Sequence, residues 1–172
     1  MVQRSMPTYA YIGIGSNLNN PKQQVLSALE EINLIKNTRL IDQSSLYSSS
    51  PLGPADQPDY INAVAWIETG LEASELLLEL QTLENRHGRK RTGVRWQARN
   101  LDLDILVYAD SAINDNTLTV PHPELSQRNF VLYPLFELNP SLSIPGLGLV
   151  SHLKAKCDKG DLVILATHKR DK

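Results

Sequence analysis

Arg99-Asn100-Leu101-Asp102-Leu103-Asp104-Ile105 is the stretch on which the reading of this chain turns. Leu101, Leu103, Ile105 and Val107 recur at every second position, the period of a β-strand with one face in a core. Asp102 and Asp104 then share the opposite face, about 7 Å apart by strand rise. Two carboxylates side by side repel each other, and a divalent cation would remove that repulsion. Just upstream lie Arg86, Arg89, Lys90, Arg91, Arg95 and Arg99, six of the chain's 17 lysines and arginines. An acidic pair facing a cationic loop suits a third component that is itself anionic and metal-bound, such as a magnesium–nucleotide polyphosphate. Each half also has a plainer reading, because alternate aspartates can form a solvated strand face and a basic run can be a solvated loop. Their conjunction in a short segment that also holds Gly88, Gly93 and Trp96 favours the functional one, since glycine-containing loops can close over ligands.

Working outward, Thr8 to Gly15 reads as a first strand. Asn20 before Pro21 starts a helix, because proline suits the first helical position, and Val25, Leu29 and Ile32 carry helical spacing to about Asn37. Arg39 to Ser48 reads as a second, less apolar strand, and Ser49 to Asp59, rich in proline, serine and glycine, as a loop. Tyr60 to Glu68 alternates again: Ile61, Ala63, Ala65 and Ile67 share one face, and Tyr60, Asn62, Val64 and Trp66 the other. A helix from about Ala73 to His87 buries Leu76, Leu77, Leu80 and Leu83, and Gly88 stops it. The order is strand, helix, strand, strand, helix, strand. That predicts an α+β fold with a ferredoxin-like βαββαβ core, an antiparallel sheet with helices on one face. Residues beyond Asp110, with Pro121-His122-Pro123 and an apolar helical stretch around Phe130 to Leu138, form a C-terminal αβ extension. Residues 1–7 read as a flexible leader with Met6 as an alternative start, 8–166 as a single domain and 167–172 as a polar tail. Helices on one face leave the other free unless loops cover it. Asp102 and Asp104 belong there, and Tyr60 and Asn62 share it, a ring and an amide able to hold a flat heterocycle.

Composition bounds the partners. At 172 residues, 41% hydrophobic and 21% charged, the chain is an ordinary globular domain. A net charge of −2 gives no global attraction to nucleic acid or to an anionic membrane, so neither is expected as a partner. The single cysteine, Cys157, excludes an internal disulfide and any multi-cysteine metal site. No apolar run reaches the length of a membrane span and no signal-peptide core follows the polar start, so the expected location is the cytoplasm. Gly13-Ile14-Gly15 lacks the glycine and Gly-Lys-Ser/Thr ending of a phosphate loop.

Several motifs together resemble the 6-hydroxymethyl-7,8-dihydropterin pyrophosphokinase family. They are Gly15-Ser16-Asn17-Leu18, Pro51-Leu52-Gly53-Pro54, Gln57-Pro58-Asp59-Tyr60-Ile61-Asn62, Arg95-Trp96-Gln97-Ala98-Arg99 running into Asp102 and Asp104, Val120-Pro121-His122-Pro123 and Arg128-Asn129-Phe130. The resemblance spans about Tyr9 to Leu138. It implies a magnesium-dependent diphosphotransferase of folate biosynthesis that moves pyrophosphate from ATP to the hydroxymethyl group of the reduced pterin and releases AMP, acting as a monomer. It implies that Asp102 and Asp104 hold two Mg2+ ions, with Arg89 and Arg99 completing the catalytic set. Gln81, Glu84, Arg91, Arg99, Ile105, His122 and Arg128 would bind ATP. Ser49, Pro51, Leu52, Tyr60, Asn62, Trp96 and Phe130 would bind the pterin, stacked between Tyr60 and Phe130, with Ser49 acting through its backbone. His122 is expected to contact nucleotide and not to act as a base. Ala98 departs from the family's common proline and Pro123 from an aromatic in some members.

Three other readings compete. A ferredoxin-like sheet with open-face aromatics and a basic loop could bind RNA, but the aspartates sit on that face and no aromatic-rich RNA-binding strand is present. A magnesium nuclease or nucleotidyl transferase would usually assemble more carboxylates than the pair here. A degenerate member of the resembled family would bind without turnover, against which the intact Asp102, Asp104, Arg89 and Arg99 stand.

Overall fold

The computed structural model describes residues 6–51, 53, 56–88 and 100–169. Strand β1 (Thr8–Ser16) is followed by helix α1 (Pro21–Asn33), strands β2 (Thr38–Gln43), β3 (Leu46–Ser49) and β4 (Tyr60–Thr69), helix α2 (Ala73–Arg86) and strand β5 (Asp102–Tyr108). Then come a short hairpin of β6 (Ile113–Asn114) and β7 (Thr119–Val120), a 3-10 turn (Leu125–Gln127) and helix α3 (Asn129–Leu138). The chain closes with a second hairpin of β8 (Ser143–Ile144) and β9 (Gly148–Leu149), helix α4 (Val150–Lys156) and strand β10 (Val163–Ala166). The main sheet runs β10-β3-β4-β1-β5, with β2 also on β4, and every pairing in it is antiparallel.

Helix α1 forms because Val25, Ala28, Leu29 and Ile32 fall on one face and bury against the sheet. It stops at Asn33, short of the expected Asn37. The side chain of Asn33 accepts the Leu40 N–H (2.8 Å), and the backbone tightens through Leu34 N–H to Glu31 O and Ile35 N–H to Ile32 O. Helix α2 starts with the Glu72 N–H donating to Glu75 (3.0 Å) and ends into Gly88, whose φ of +86° suits glycine. Leu76, Leu80 and Leu83 carry its buried stripe, against Leu101, Leu103 and Ile105 of the neighbouring strand. Fully burying one such leucine contributes about 1.5–3 kcal/mol.

Three further expectations change. The strand expected over Arg39–Ser48 is two, because the Ser45 N–H turns away to the Glu137 carboxylate (3.0 Å) while the Ser44 hydroxyl accepts the Val64 N–H (2.9 Å). Strand β5 carries a bulge: Ile12 pairs with Ile105 but Tyr11 with Val107, so Leu106 is extra. Val107 therefore crosses to the other face and packs with Tyr11 and Leu106, away from Leu101, Leu103 and Ile105. Finally, helices lie on both faces. Helices α1 and α2 cover one, while Val131, Leu132 and Leu135 of α3 pack on Val64 and Leu106 of the other. Half of the face expected to be free is thereby covered, and what remains lies toward Tyr60, Asn62, Asp102 and Asp104.

Candidate active site

The remaining open face has a bare floor. In β1, Gly13 lies opposite Val64 and Asp104, and Gly15 lies opposite Asn62 and Asp102. A Cβ on Gly15 would stand 3.3 Å from Asn62 Oδ1 and 3.6 Å from Tyr60 Cδ1. Gly13 is covered by the Leu106 side chain, which a Cβ there would meet at 3.2 Å, so Gly15 alone floors a trough between the carboxylates of β5 and the amide and ring of β4. The trough is two strand spacings wide, roughly 10 Å. Gly15 on the open face of the strand, opposite Asn62 and Asp102, was its signal in the sequence.

On the β4 wall, Asn62 is buried and its Nδ2 donates to Ser49 Oγ (2.8 Å). Ser49 thus orients the amide through its hydroxyl, in addition to whatever its backbone contributes. Tyr60 is half-buried at the start of the strand, and Phe130 packs at the rim of the α3 cluster on the same face of the sheet. Pro51 is half-buried, beside Ser50, whose N–H and hydroxyl both donate to Asp161 ahead of β10. Asn17 was quoted in a motif without a role. It is buried and its Nδ2 donates to Pro58 O (3.0 Å) and Gln57 Oε1 (3.4 Å), holding the chain that leads into Tyr60.

On the β5 wall, Asp102 and Asp104 are partly exposed, with 39% of the Asp104 side chain open to solvent. His122 Nε2 lies 4.0 Å from Asp104 Oδ2. The other ring nitrogen, Nδ1, accepts the Glu124 N–H (3.1 Å), so the neutral ring carries its proton on Nε2, toward the aspartate. Burial pushes the His122 pKa down and the Arg128 charge adds to this, while Glu124 and Asp102 oppose it. Arg128 pairs with Glu124 and lies over the Phe130 ring, 5.5 Å from its centroid.

The remaining nucleotide candidates divide. Gln81 is half-buried on α2. Glu84 is buried, and its Oε1 accepts the Leu103 N–H (3.1 Å), which braces β5 between the two aspartates from the core side. Ile105 sends its side chain into the core, so only its backbone, on an edge strand, can meet a ligand. Leu52, Arg89, Arg91, Trp96 and Arg99 lie outside the described residues, as does the loop expected to close over ligands.

The donor set fits magnesium. Two carboxylates at alternate strand positions offer hard oxygen ligands at one mouth of the trough. Among the described residues no group of three or more His, Cys, Asp or Glu could cage a metal alone. Magnesium that arrives with phosphate needs only one or two protein carboxylates.

The family model "7,8-dihydro-6-hydroxymethylpterin-pyrophosphokinase (HPPK)" matches residues 11–140. The chain is 50% identical over 144 residues to the 2-amino-4-hydroxy-6-hydroxymethyldihydropteridine pyrophosphokinase of Haemophilus influenzae, covering 84% of this chain and 89% of that protein. It is 43% identical over 157 residues to the protein of the same name from Pseudomonas aeruginosa, covering 91% and 93%. The crystal structure of Plasmodium falciparum HPPK-DHPS, wild type with pteroate, superposes with a TM-score of 0.70 at 13% identity, covering 91% of this chain. This chain spans 43% of the length of that one, and the likeness concerns the fold.

Proposed function

The chain belongs to the 7,8-dihydro-6-hydroxymethylpterin-pyrophosphokinase family, and from that premise we propose how its trough performs the family's reaction. Pyrophosphate passes from ATP to the hydroxymethyl group of 6-hydroxymethyl-7,8-dihydropterin, in folate biosynthesis, and AMP leaves. The family match carries this reading, and the Asp102/Asp104 pair, with Gly15 between Asp102 and the Asn62 and Tyr60 wall, supports it. The sheet order β2/β3–β4–β1–β5 supports a ferredoxin-like βαββαβ core. Residues 8–166 act as one unit flanked by the leader and tail. The enzyme works as a monomer in the cytoplasm; no helix among the described residues is long and apolar enough to cross a membrane.

Such a transfer asks a protein mainly to position two substrates and to neutralise charge. Asp102 and Asp104 are the residues that would hold two magnesium ions. When bound there, the metal neutralises phosphate charge and lowers the pKa of the substrate hydroxyl. Arg89, Arg91 and Arg99 take phosphate oxygens, since a guanidinium stays charged and binds them in pairs. His122 donates through Nε2–H toward the nucleotide. It does not serve as base, because a proton on Nδ1 would displace the Glu124 N–H. Gln81 and Arg128 line the nucleotide side, Ile105 contributes backbone, and Glu84 positions β5. On the other wall Asn62, set by Ser49, reads the pterin edge with Pro51 and Leu52, and Tyr60 and Phe130 sandwich its ring near Trp96.

The test is to mix protein, ATP, magnesium and the reduced pterin and to identify the nucleotide formed. AMP that appears only with both pterin and magnesium is the expected result. ADP, or no turnover by folded protein, overturns the proposal.

A further inference from the structure

The turn between β1 and α1 touches both walls of the trough. Asn17 holds residues 57 and 58 ahead of Tyr60. Two residues on, the side chain of Asn19 donates from Nδ2 to Asn100 Oδ1 (2.6 Å). Asn100 in turn donates from Nδ2 to the carbonyl of His87 (2.7 Å). Since a carbonyl only accepts, this bond fixes which end of the Asn100 amide faces Asn19. The position of a Gly88 Cβ lies 2.9 Å from Asn100 Nδ2, so the amide packs flush on the α2 terminus. Asn100 stands two residues before Asp102 and directly after Arg99 in the chain. Asn19 itself has a φ of +52°, a conformation asparagine tolerates better than most residues. The turn is anchored further by Gln24, whose Nε2 donates to Asn19 O (3.1 Å) and whose Oε1 meets His87 Nδ1.

We propose that Asn19 and Asn100 are a positioning pair for the transfer. Their bond sets the entry of the chain into Asp102 against the same turn that, through Asn17, sets the entry into Tyr60. The pair thereby holds the metal-binding wall in register with the pterin-binding wall. Neither side chain touches substrate in this role. The inference rests on the pyrophosphoryl-transfer reading.

A double-mutant cycle tests it, with AMP formation measured at saturating ATP, magnesium and pterin. Asn19→Gly removes the donor while keeping the positive φ accessible, and Asn100→Ala removes the acceptor. Each is expected to lower kcat about ten-fold, the order for a sub-ångström misplacement. The KM for pterin should stay within about two-fold, and Tm should drop only a few degrees. The double variant should lose no more than Asn100→Ala alone, because the Asn19–Asn100 bond is lost in all three and the Asn100–His87 bond in both variants that carry Asn100→Ala. Asn19→Asp sets an acceptor against Asn100 Oδ1 and should match Asn19→Gly. Wild-type kcat in Asn19→Gly and Asn19→Asp overturns the pairing. So do losses that multiply to about a hundred-fold in the double variant, or a fall in rate that only tracks the amount of folded protein. A wild-type chain that forms no AMP overturns the function itself, and this inference with it.

Discussion

Asp104 and His122 illustrate two kinds of polar side chain at one site. Asp104 is partly exposed, with its carboxylate 4.0 Å from His122 Nε2, and belongs to no core cluster, so replacing it disturbs little packing. Asp104→Ala should cut AMP formation by about 10³-fold or more, the scale of losing a principal electrostatic contact. Stability should stay within about 0.5 kcal/mol, as for other surface changes. Turnover near wild type, measured beside a thermal melt, would refute the metal assignment. His122 is mostly buried and held neutral near pH 7 by that burial and by Arg128. Its Nδ1 is committed to the Glu124 N–H. His122→Gln keeps a donor, so kcat should fall by no more than about ten-fold, the low end for losing one hydrogen-bonding group. The pH profile of kcat should keep its wild-type acidic limb below pH 7, since a base must lose its proton before it can act and burial pushes the His122 pKa down. Loss of that acidic limb in the variant would mean that His122 accepts the proton after all.

Strand β1 makes the site possible by what it lacks. At Gly15, on the open face, the sheet presents backbone where other strands present side chains, whereas Gly13 makes room for the Leu106 side chain. Gly15→Val suits a strand conformationally but fills the trough beside Asn62 and Tyr60. The KM for pterin should rise about ten-fold or more, the loss of over 1.4 kcal/mol of binding, while the KM for ATP and the circular dichroism stay unchanged. An unchanged pterin KM would place the substrate elsewhere. How far these elements were legible follows the same physics. Period-two and period-3.6 patterns located β1, β4, β5, α1 and α2, because each buries one face on a single core. Local pattern could not locate breaks caused by distant partners. The β2–β3 break at Ser45 answers to Glu137, 92 residues away, and the Leu106 bulge answers to Tyr11 and α3. At the site, the aspartate pair and the Tyr60/Asn62 face were legible from alternation. That Ile105 could meet a ligand only through its backbone, and that Glu84 braces the Leu103 N–H, depended on tertiary placement that spacing does not encode.

At the scale of the molecule, a polar joint at Glu137 ties the C-terminal extension to the sheet. The Glu137 carboxylate accepts the Ser45 N–H, the Ser45 hydroxyl and the Tyr47 hydroxyl, the last at 2.7 Å. Glu137→Ala leaves those donors without their acceptor and should cost about 2–3 kcal/mol in a denaturant melt. A loss below about 0.5 kcal/mol would show α3 held by its apolar face alone. The metal enters differently. The described residues hold no cluster of three or more His, Cys, Asp or Glu that could cage a metal by itself. Chelation of the ligand-free protein by EDTA should therefore leave Tm unchanged. ATP in EDTA should shift Tm little, because the polyphosphate then arrives without the magnesium through which it would share ligands with Asp102 and Asp104. ATP with magnesium should shift Tm by more than the two additions separately. At a hundred-fold excess over Kd the gain is about 2.7 kcal/mol, which for a chain of this size corresponds to roughly 5–11 °C. A fall in Tm on EDTA alone would mean that magnesium, or another ion, is part of the resting fold. Equal shifts by ATP with and without magnesium would separate the aspartates from nucleotide binding. The excess shift found only with both present is what couples the acidic strand to the polyphosphate.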